Sequence, residues 1–286
     1  MSFSEHLKPY ARLSPANLGK EYASKHILIT GGGYGIGASI ARAFAEARVA
    51  SIVLVGRTES KLKATAEELG ADFPETSVQY RIVDISSAES VKHMFDSLTT
   101  TVDVLVNNAG FLSQPENFVN ADLKEWWLSF EINVLGTATV TQGFLQTRTK
   151  SEAKDEAVVV NLNTLGAYNV LVPNLSAYGA SKAASWRMME LISTDVSSSG
   201  SIPGGVRVVN VHPGYVQTAM AAKSGLEGAF PPTDPQLAAE FIAWSVSDEA
   251  EFLANRFAWV GWDVDELVSR KAEIVEKDLL RTAISM

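Results

Sequence analysis

The chain has 286 residues, 46% hydrophobic and 20% charged, enough to bury one large core, and at this length a single α/β domain is expected rather than two. Its net charge of -9 and pI near 5.0 give no basic field to attract nucleic acid or an anionic membrane surface. The absence of cysteine and the scatter of His6, His26, His93 and His212 argue against disulfides, thiolate chemistry and a structural metal, while the lack of a long apolar run or signal-peptide core leads us to expect a cytoplasmic protein.

Residues 1–24, polar with Pro9 and Pro15, read as an arm wrapping the surface before the first strand, a stretch uninformative about chemistry. The run His26 to Ile29 reads as a short buried strand, and Ser39 to Arg48 has helical periodicity with Ile40, Phe44 and Ala45 on one face. Thr30-Gly31-Gly32-Gly33-Tyr34-Gly35-Ile36-Gly37 is therefore a strand-to-helix turn. Gly31 can take a tight bend, Gly35 lets backbone approach a pyrophosphate, and Gly37 lets the helix pack on its strand. Free N–H groups at the helix N-terminus then face the phosphates.

Ser51 to Gly56 is a β-branched run that fits a buried parallel strand, followed by a helix from about Glu59 to Leu69. Val78 to Val83, a helix from Ala88 to Leu98, and Val102 to Val106 continue the alternation. A long helix is expected from about Ala121 to Leu145, then the strand Ala157 to Leu162, a helix from Ser176 to about Val196 and the strand Val206 to Val211. The last part reads as a mixed segment from Thr218 to Pro235, a helix to about Val246, the run Arg256 to Val260, and one charged amphipathic helix from Val264 to Leu280. The pattern predicts a doubly wound parallel sheet in three α/β/α layers, a core over 25–262 and a helical extension over 263–286.

Ligands of such sheets lie beyond the carboxyl ends of the strands. The second strand ends in Gly56-Arg57, where an NAD-preferring site usually carries an acidic residue. Arg57 can pair bidentately with a 2′-phosphate, Lys61 can add a second cation, and NADP is expected over NAD. Tyr34 stands where a basic residue sometimes reinforces that preference. Asp84 and Ile85 end the third strand and Asn107-Asn108-Ala109-Gly110 the fourth, next to where adenine and ribose would lie; the adjacent amides need partners.

Tyr178 and Lys182 lie four residues apart on the helix from Ser176 and share a face. A phenol with an ordinary pKa near 10 is a poor acid–base group at neutral pH; a nearby ammonium is expected to lower it toward the working range.

Together these motifs resemble the classical short-chain dehydrogenase/reductase family: Thr30-Gly-x-x-x-Gly-Ile-Gly37, Asp84, Asn107-Asn-Ala-Gly110, Asn133, Tyr178-x-x-x-Lys182, and Pro213-Gly214 followed by Thr218, in the family's order across residues 26 to about 220. The resemblance implies a Rossmann fold and an oxidoreductase in which Tyr178 is the general acid/base and Lys182 also holds the nicotinamide ribose. It further implies that Asn133 supports a proton relay and that Pro213, Gly214, Val216 and Thr218 contact the cofactor. The family's serine is missing from Asn161-Leu162-Asn163-Thr164. Thr164 takes its place fourteen residues before Tyr178, its hydroxyl still able to stabilise an oxyanion, although the Asn163 amide can serve instead.

By the same resemblance the substrate pocket is walled by Leu165 to Leu175, Tyr215 to Pro232 and the Trp259 to Trp262 region. Leu165, Tyr168, Val170, Leu171, Tyr215, Met220 and Phe230 suggest a hydrophobic ketone or secondary alcohol, and Gly225, Gly228 and Pro231-Pro232 fit a lid over about 215–235. The tail from Trp259 to Leu267 resembles an extension in fungal members, consistent with secondary metabolism, and departs from the family's usual tetramer contact; a homodimer or homotetramer is expected. Two other readings keep the fold: a cofactor-binding protein without turnover, and non-redox chemistry such as cyclisation, dehydration or epimerisation of a biosynthetic intermediate.

Overall fold

The computed structural model describes residues 3–170 and 172–283. Met1 and Ser2 of the arm, Leu171, and Ile284 to Met286 of the extension lie outside the described residues.

Seven parallel strands, β1 (His26–Thr30), β2 (Ser51–Gly56), β3 (Ser77–Ile82), β4 (Val104–Asn107), β5 (Ala157–Leu162), β6 (Val206–His212) and β7 (Arg256–Trp259), form one sheet in the order β3-β2-β1-β4-β5-β6-β7. Alternate residues of the five inner strands feed two separate cores: Ile27 and Ile29 belong to one, with Phe44, Phe241 and Trp244, and Leu28 to the other, with Phe144 and Met189. Period-two burial on both faces requires helices on both, so the three-layer α/β/α expectation holds.

In chain order the helices are α1 (Gly19–Tyr22), α2 (Gly35–Glu46), α3 (Glu59–Asp72), α4 (Ala88–Asp96), α5 (Leu123–Phe130), α6 (Thr137–Lys150), α7 (Ser176–Ser199), α8 (Ala219–Ser224), α9 (Pro235–Ser245), α10 (Val264–Ser269) and α11 (Lys271–Glu276). The strand order reverses between β1 and β4. A crevice opens there at the carboxyl edge of the sheet.

Three expectations change. The helix predicted over 121–145 is two helices joined by a π-turn, Glu131–Gly136, which carries Asn133 into the interior, where it is fully buried. The predicted C-terminal helix is broken at Arg270, which leaves helical geometry (φ -103, ψ 8) and places its guanidinium over the Phe3 ring; Leu280 then turns to φ 64 and accepts a hydrogen bond from the Phe257 N–H of β7 at 2.7 Å. The N-terminal arm is not a loose wrap. Leu13 and Tyr22 are buried in the core, the Tyr22 hydroxyl donates to the Ala243 carbonyl of α9 at 2.6 Å, and Glu5 bridges antiparallel to Trp262.

Candidate active site

Two neighbouring recesses lie at the carboxyl edge: a groove of about 120 Å³ against β1, β2 and β3, and a cavity of about 730 Å³ against β5, β6 and β7.

The groove is built by the glycine turn. Gly31 and Gly35 sit at φ 65 and φ 58, and a Cβ on Gly37 would strike the Gly31 carbonyl, so α2 can start this close to β1 only with glycine there. Asn108 braces the turn from β4: its Nδ2 donates to the Thr30 and Gly31 carbonyls at 2.9 and 3.1 Å. Its amide is thus committed to backbone, while that of Asn107 donates to a side chain, Thr141 Oγ1, at 2.9 Å. Gly31, Gly33, Tyr34, Arg57, Asp84, Ile85, Ala109 and Gly110 line the groove, and so does Lys61, whose ammonium rests over the Tyr34 ring at 4.0 Å. Asp84 accepts from the Ser86 hydroxyl and N–H, and these bonds, with the Arg57 guanidinium, hold its carboxyl below the usual carboxylate range.

The cavity carries Ile36, Thr164, Tyr178, Pro213, Gly214, Val216 and Thr218 on its wall. Thr164 Oγ1 accepts from the Gly166 N–H at 3.2 Å, leaving its O–H to donate. Asn163 is committed: its Oδ1 accepts from the Thr164 N–H and its Nδ2 donates to the Lys182 carbonyl. Both residues line the cavity, with the Thr164 hydroxyl hydrogen and one of the two Asn163 amide hydrogens outside these bonds.

Besides Asn107, four predicted catalytic or cofactor-binding residues line neither recess. Gly35 lies at their junction, where a Cβ would project to 3.6 Å from Thr218 Cγ2. The Asn133 side chain is fully used, with Nδ2 donating to the Phe111 carbonyl and Ser181 Oγ and Oδ1 accepting from the Phe111 N–H; it locks the loop after β4 to α7. Asn108 is the third, and Lys182 the fourth, buried with Nζ donating to the Leu162 carbonyl at 2.8 Å.

That last bond corrects an expectation. Burial pushes Tyr178 up to about 12 and Lys182 down to about 8, and the ammonium is turned onto a carbonyl rather than lowering the phenol's pKa. Tyr178 is therefore a phenol at neutral pH, with no hydrogen bond among the described residues.

The substrate wall also differs in part. Leu165, Val170, Tyr215, Met220 and Phe230 line the cavity, whereas Tyr168 packs edge-on against Trp186 and Phe257 and accepts from Trp259 Nε1 at 2.9 Å. Trp259 and Gly261 reach the cavity, while Trp262 stacks behind Trp259. Glu5, His6 and Leu7 of the arm line the cavity too, held there by the His6 N–H on the Gly261 carbonyl at 2.7 Å and by His6 Nε2 on Asp263 at 2.8 Å. Nothing in the arm's own sequence signalled this. His212, also missed, stood next to Pro213-Gly214, the one available hint.

With this geometry in hand, comparison with known proteins is decisive on family. The family described as short chain dehydrogenase matches residues 25–227. This chain belongs to it. The short chain dehydrogenase andI of Emericella variicolor is 30% identical, with 98% of this chain and 95% of that protein covered, and citE of Monascus ruber is 30% identical over 90% and 88%. Among solved structures, the Escherichia coli oxidoreductase yciK superposes with a TM-score of 0.74 at 23% identity, covering 89% of this dehydrogenase and 99% of yciK. A Shigella flexneri short chain dehydrogenase complexed with NADP gives 0.71 at 24% (84% and 98% covered), and an NAD+-bound xylitol dehydrogenase 0.73 at 20% (85% and 100%). Both nucleotides occur on this fold, so fold alone does not choose between them. As a member of this family the chain is an oxidoreductase that binds a nicotinamide nucleotide. Among the described residues no helix is long and apolar enough to cross a membrane.

Proposed function

We propose that this dehydrogenase is a cytoplasmic, NADP-dependent carbonyl reductase or alcohol dehydrogenase acting on a large apolar ketone or secondary alcohol. The observation that carries the reading is the convergence of Tyr178 and Thr164 on one cavity of about 730 Å³ that lies beside the glycine-turn groove. The residues suit a dinucleotide: a Cβ at Gly35 would intrude on the gap facing Thr218, and Arg57 with Lys61 gives the groove two cations suited to a 2′-phosphate. When bound, the nicotinamide supplies or accepts the hydride.

The chain's own part is positioning and proton transfer. Thr164 donates to the substrate oxygen while its Oγ1 is fixed by the Gly166 N–H. Tyr178 is protonated at neutral pH and so serves reduction directly, giving its proton to the oxygen as the C–H bond forms. With a cofactor bound, Lys182, whose Nζ keeps donor capacity beyond its bond to the Leu162 carbonyl, would orient the ribose, and Asn133 keeps the loop after β4 in register with α7 so that a relay can refill the phenol. Ile36, Val216, Pro213 and Gly214 flank the reacting end and exclude water, and the segment over 215–235 acts as a lid, pinned where the Thr233 N–H meets the Tyr215 carbonyl at 2.9 Å. The arm, through Glu5, His6 and Leu7, and the core over 25–262 together wall this cavity.

The exposed apolar side chains of Leu123, Trp127, Leu135 and Leu191 favour a homodimer through α5, the π-turn and α7. Similarity to fungal short chain dehydrogenases fits a biosynthetic step in secondary metabolism. The deciding experiment is Tyr178→Phe, assayed by NADPH oxidation with a panel of aromatic and alicyclic ketones. Turnover should fall by about 10²–10⁴-fold while NADPH binding stays within about threefold; retention of most activity would remove the acid from the mechanism. Wild-type binding of NADPH with no ketone reduced would point instead to binding without turnover or to non-redox chemistry.

A further inference from the structure

His212 closes β6, and the register fixes its surroundings. Its neighbour Val211 pairs with Leu162 and accepts the Asn163 N–H at 2.7 Å, so the histidine stands beside Asn163-Thr164, one strand spacing of about 5 Å away. On the other side it pairs with Trp259, whose ring meets the imidazole edge to face with centroids 5.0 Å apart. The ring lines the cavity that also holds Tyr178 and Thr164. Its Nδ1 is buried without a partner among the described residues, and Nε2 makes no hydrogen bond there either. Burial pushes its pKa down to about 4, so near neutrality the ring is uncharged, with one nitrogen donating and the other accepting.

Nδ1 is sealed from the cavity, so Nε2, which keeps accessible surface, is the atom that can meet a ligand; holding an unpartnered polar ring here costs about 1–3 kcal/mol, which an apolar side chain of similar shape would avoid. Most of the surrounding wall is apolar, including Leu165, Met220 and Phe230, and in such cavities a few polar groups fix the orientation of the ligand. The geometry points to His212 as a second anchor for substrate: its imidazole hydrogen-bonds a hydroxyl or second carbonyl oxygen carried by an apolar ketone, away from the carbonyl held by Tyr178 and Thr164. The substrates are then doubly oxygenated apolar ketones or the corresponding alcohols. This rests on the carbonyl-reductase reading for the first anchor only.

The test pairs β-tetralone with its ring-hydroxylated isomers. Wild type is compared with His212→Phe and His212→Leu, apolar replacements of different shape, and with His212→Asn, which keeps a donor and an acceptor. Each ketone is measured by kcat/KM from NADPH oxidation and by Kd of the NADPH-bound protein from quenching of tryptophan fluorescence, Trp259 being the reporter beside the ring. Wild type should favour at least one hydroxylated isomer by about tenfold. That ratio should fall to near one in whichever apolar variant folds, and recover in part in His212→Asn. A wild-type ratio near one for every isomer in both measurements, or a ratio that survives in the apolar variants, overturns the anchor. If no ketone is reduced, the carbonyl-reductase reading fails on its own, and the Kd ratios still decide the role of His212.

Discussion

The two halves of the carboxyl edge are made in opposite ways. The groove against β1, β2 and β3 is backbone, glycine and short side chains packed so closely that the Asn108 amide and the Gly37 position leave no freedom. The cavity against β5, β6 and β7 is assembled from pieces far apart in the chain: residues 5–7, the loop after β5, the segment after His212 and the stretch around Trp259. A phosphate cradle must satisfy one fixed geometry, whereas a substrate wall needs only an apolar surface of suitable shape. The comparison implies that the halves can be perturbed separately.

The strongest challenge to that separation is Thr164→Val. Removing the donor should lower kcat/KM for ketones by about 10²–10³-fold with Thr164→Ser largely restoring it, while the NADPH Kd stays the same; a parallel loss of NADPH affinity would mean that the cavity wall also shapes the groove. On the other side, Arg57→Ala should weaken NADPH by about 10–100-fold and NADH by no more than about threefold, as expected for loss of a charge-assisted hydrogen bond. Equal losses, read by fluorescence titration of both nucleotides, would show that Arg57 does not read the 2′-phosphate.

Acidity offers a finer probe. With Tyr178 at about 12, ketone reduction needs no deprotonation and its kcat/KM should be level from about pH 6 to about 8. Alcohol oxidation needs the phenolate, so its kcat/KM should climb by about tenfold per pH unit over the same range. A level oxidation profile would mean that bound cofactor has already brought the phenol into its working range. The smallest effect belongs to the arm: His6→Ala removes the 2.8 Å contact with Asp263 and should raise KM for bulky ketones about threefold without changing NADPH binding. Equal changes in both would make the arm a general stabiliser rather than a wall of the cavity.

The sequence revealed whatever is local. The glycine turn, Tyr178 with Lys182, and the strand-end residues Arg57 and Asp84 are legible because spacing along one helix or position at one strand end sets where their backbone lies. Bounds for β5 agree to the residue, from Ala157 to Leu162. What escaped was nonlocal. The π-turn at Asn133 depends on bonds to Phe111 and Ser181, distant in the chain, and periodicity has no term for it. The high pKa of Tyr178 follows from burial and from the carbonyl that Lys182 finds at Leu162, neither visible in a Tyr-x-x-x-Lys spacing. Leu7 lines the cavity where the Asp234 N–H donates to its carbonyl and the neighbouring His6 N–H donates to Gly261, both partners distant in the chain.

The far rim of the sheet has a consequence of its own. An outermost strand normally offers unsatisfied amides to any passing extended peptide, but in β7 the Phe257 amide is met by Leu280, and Thr282 is moored by its N–H and hydroxyl to the buried Glu190 carboxylate of α7. Residues 280–282 thus act as a built-in selvedge. Shortening the chain before Leu280 would bare that margin, so truncated preparations should precipitate on standing while the 286-residue chain stays clear.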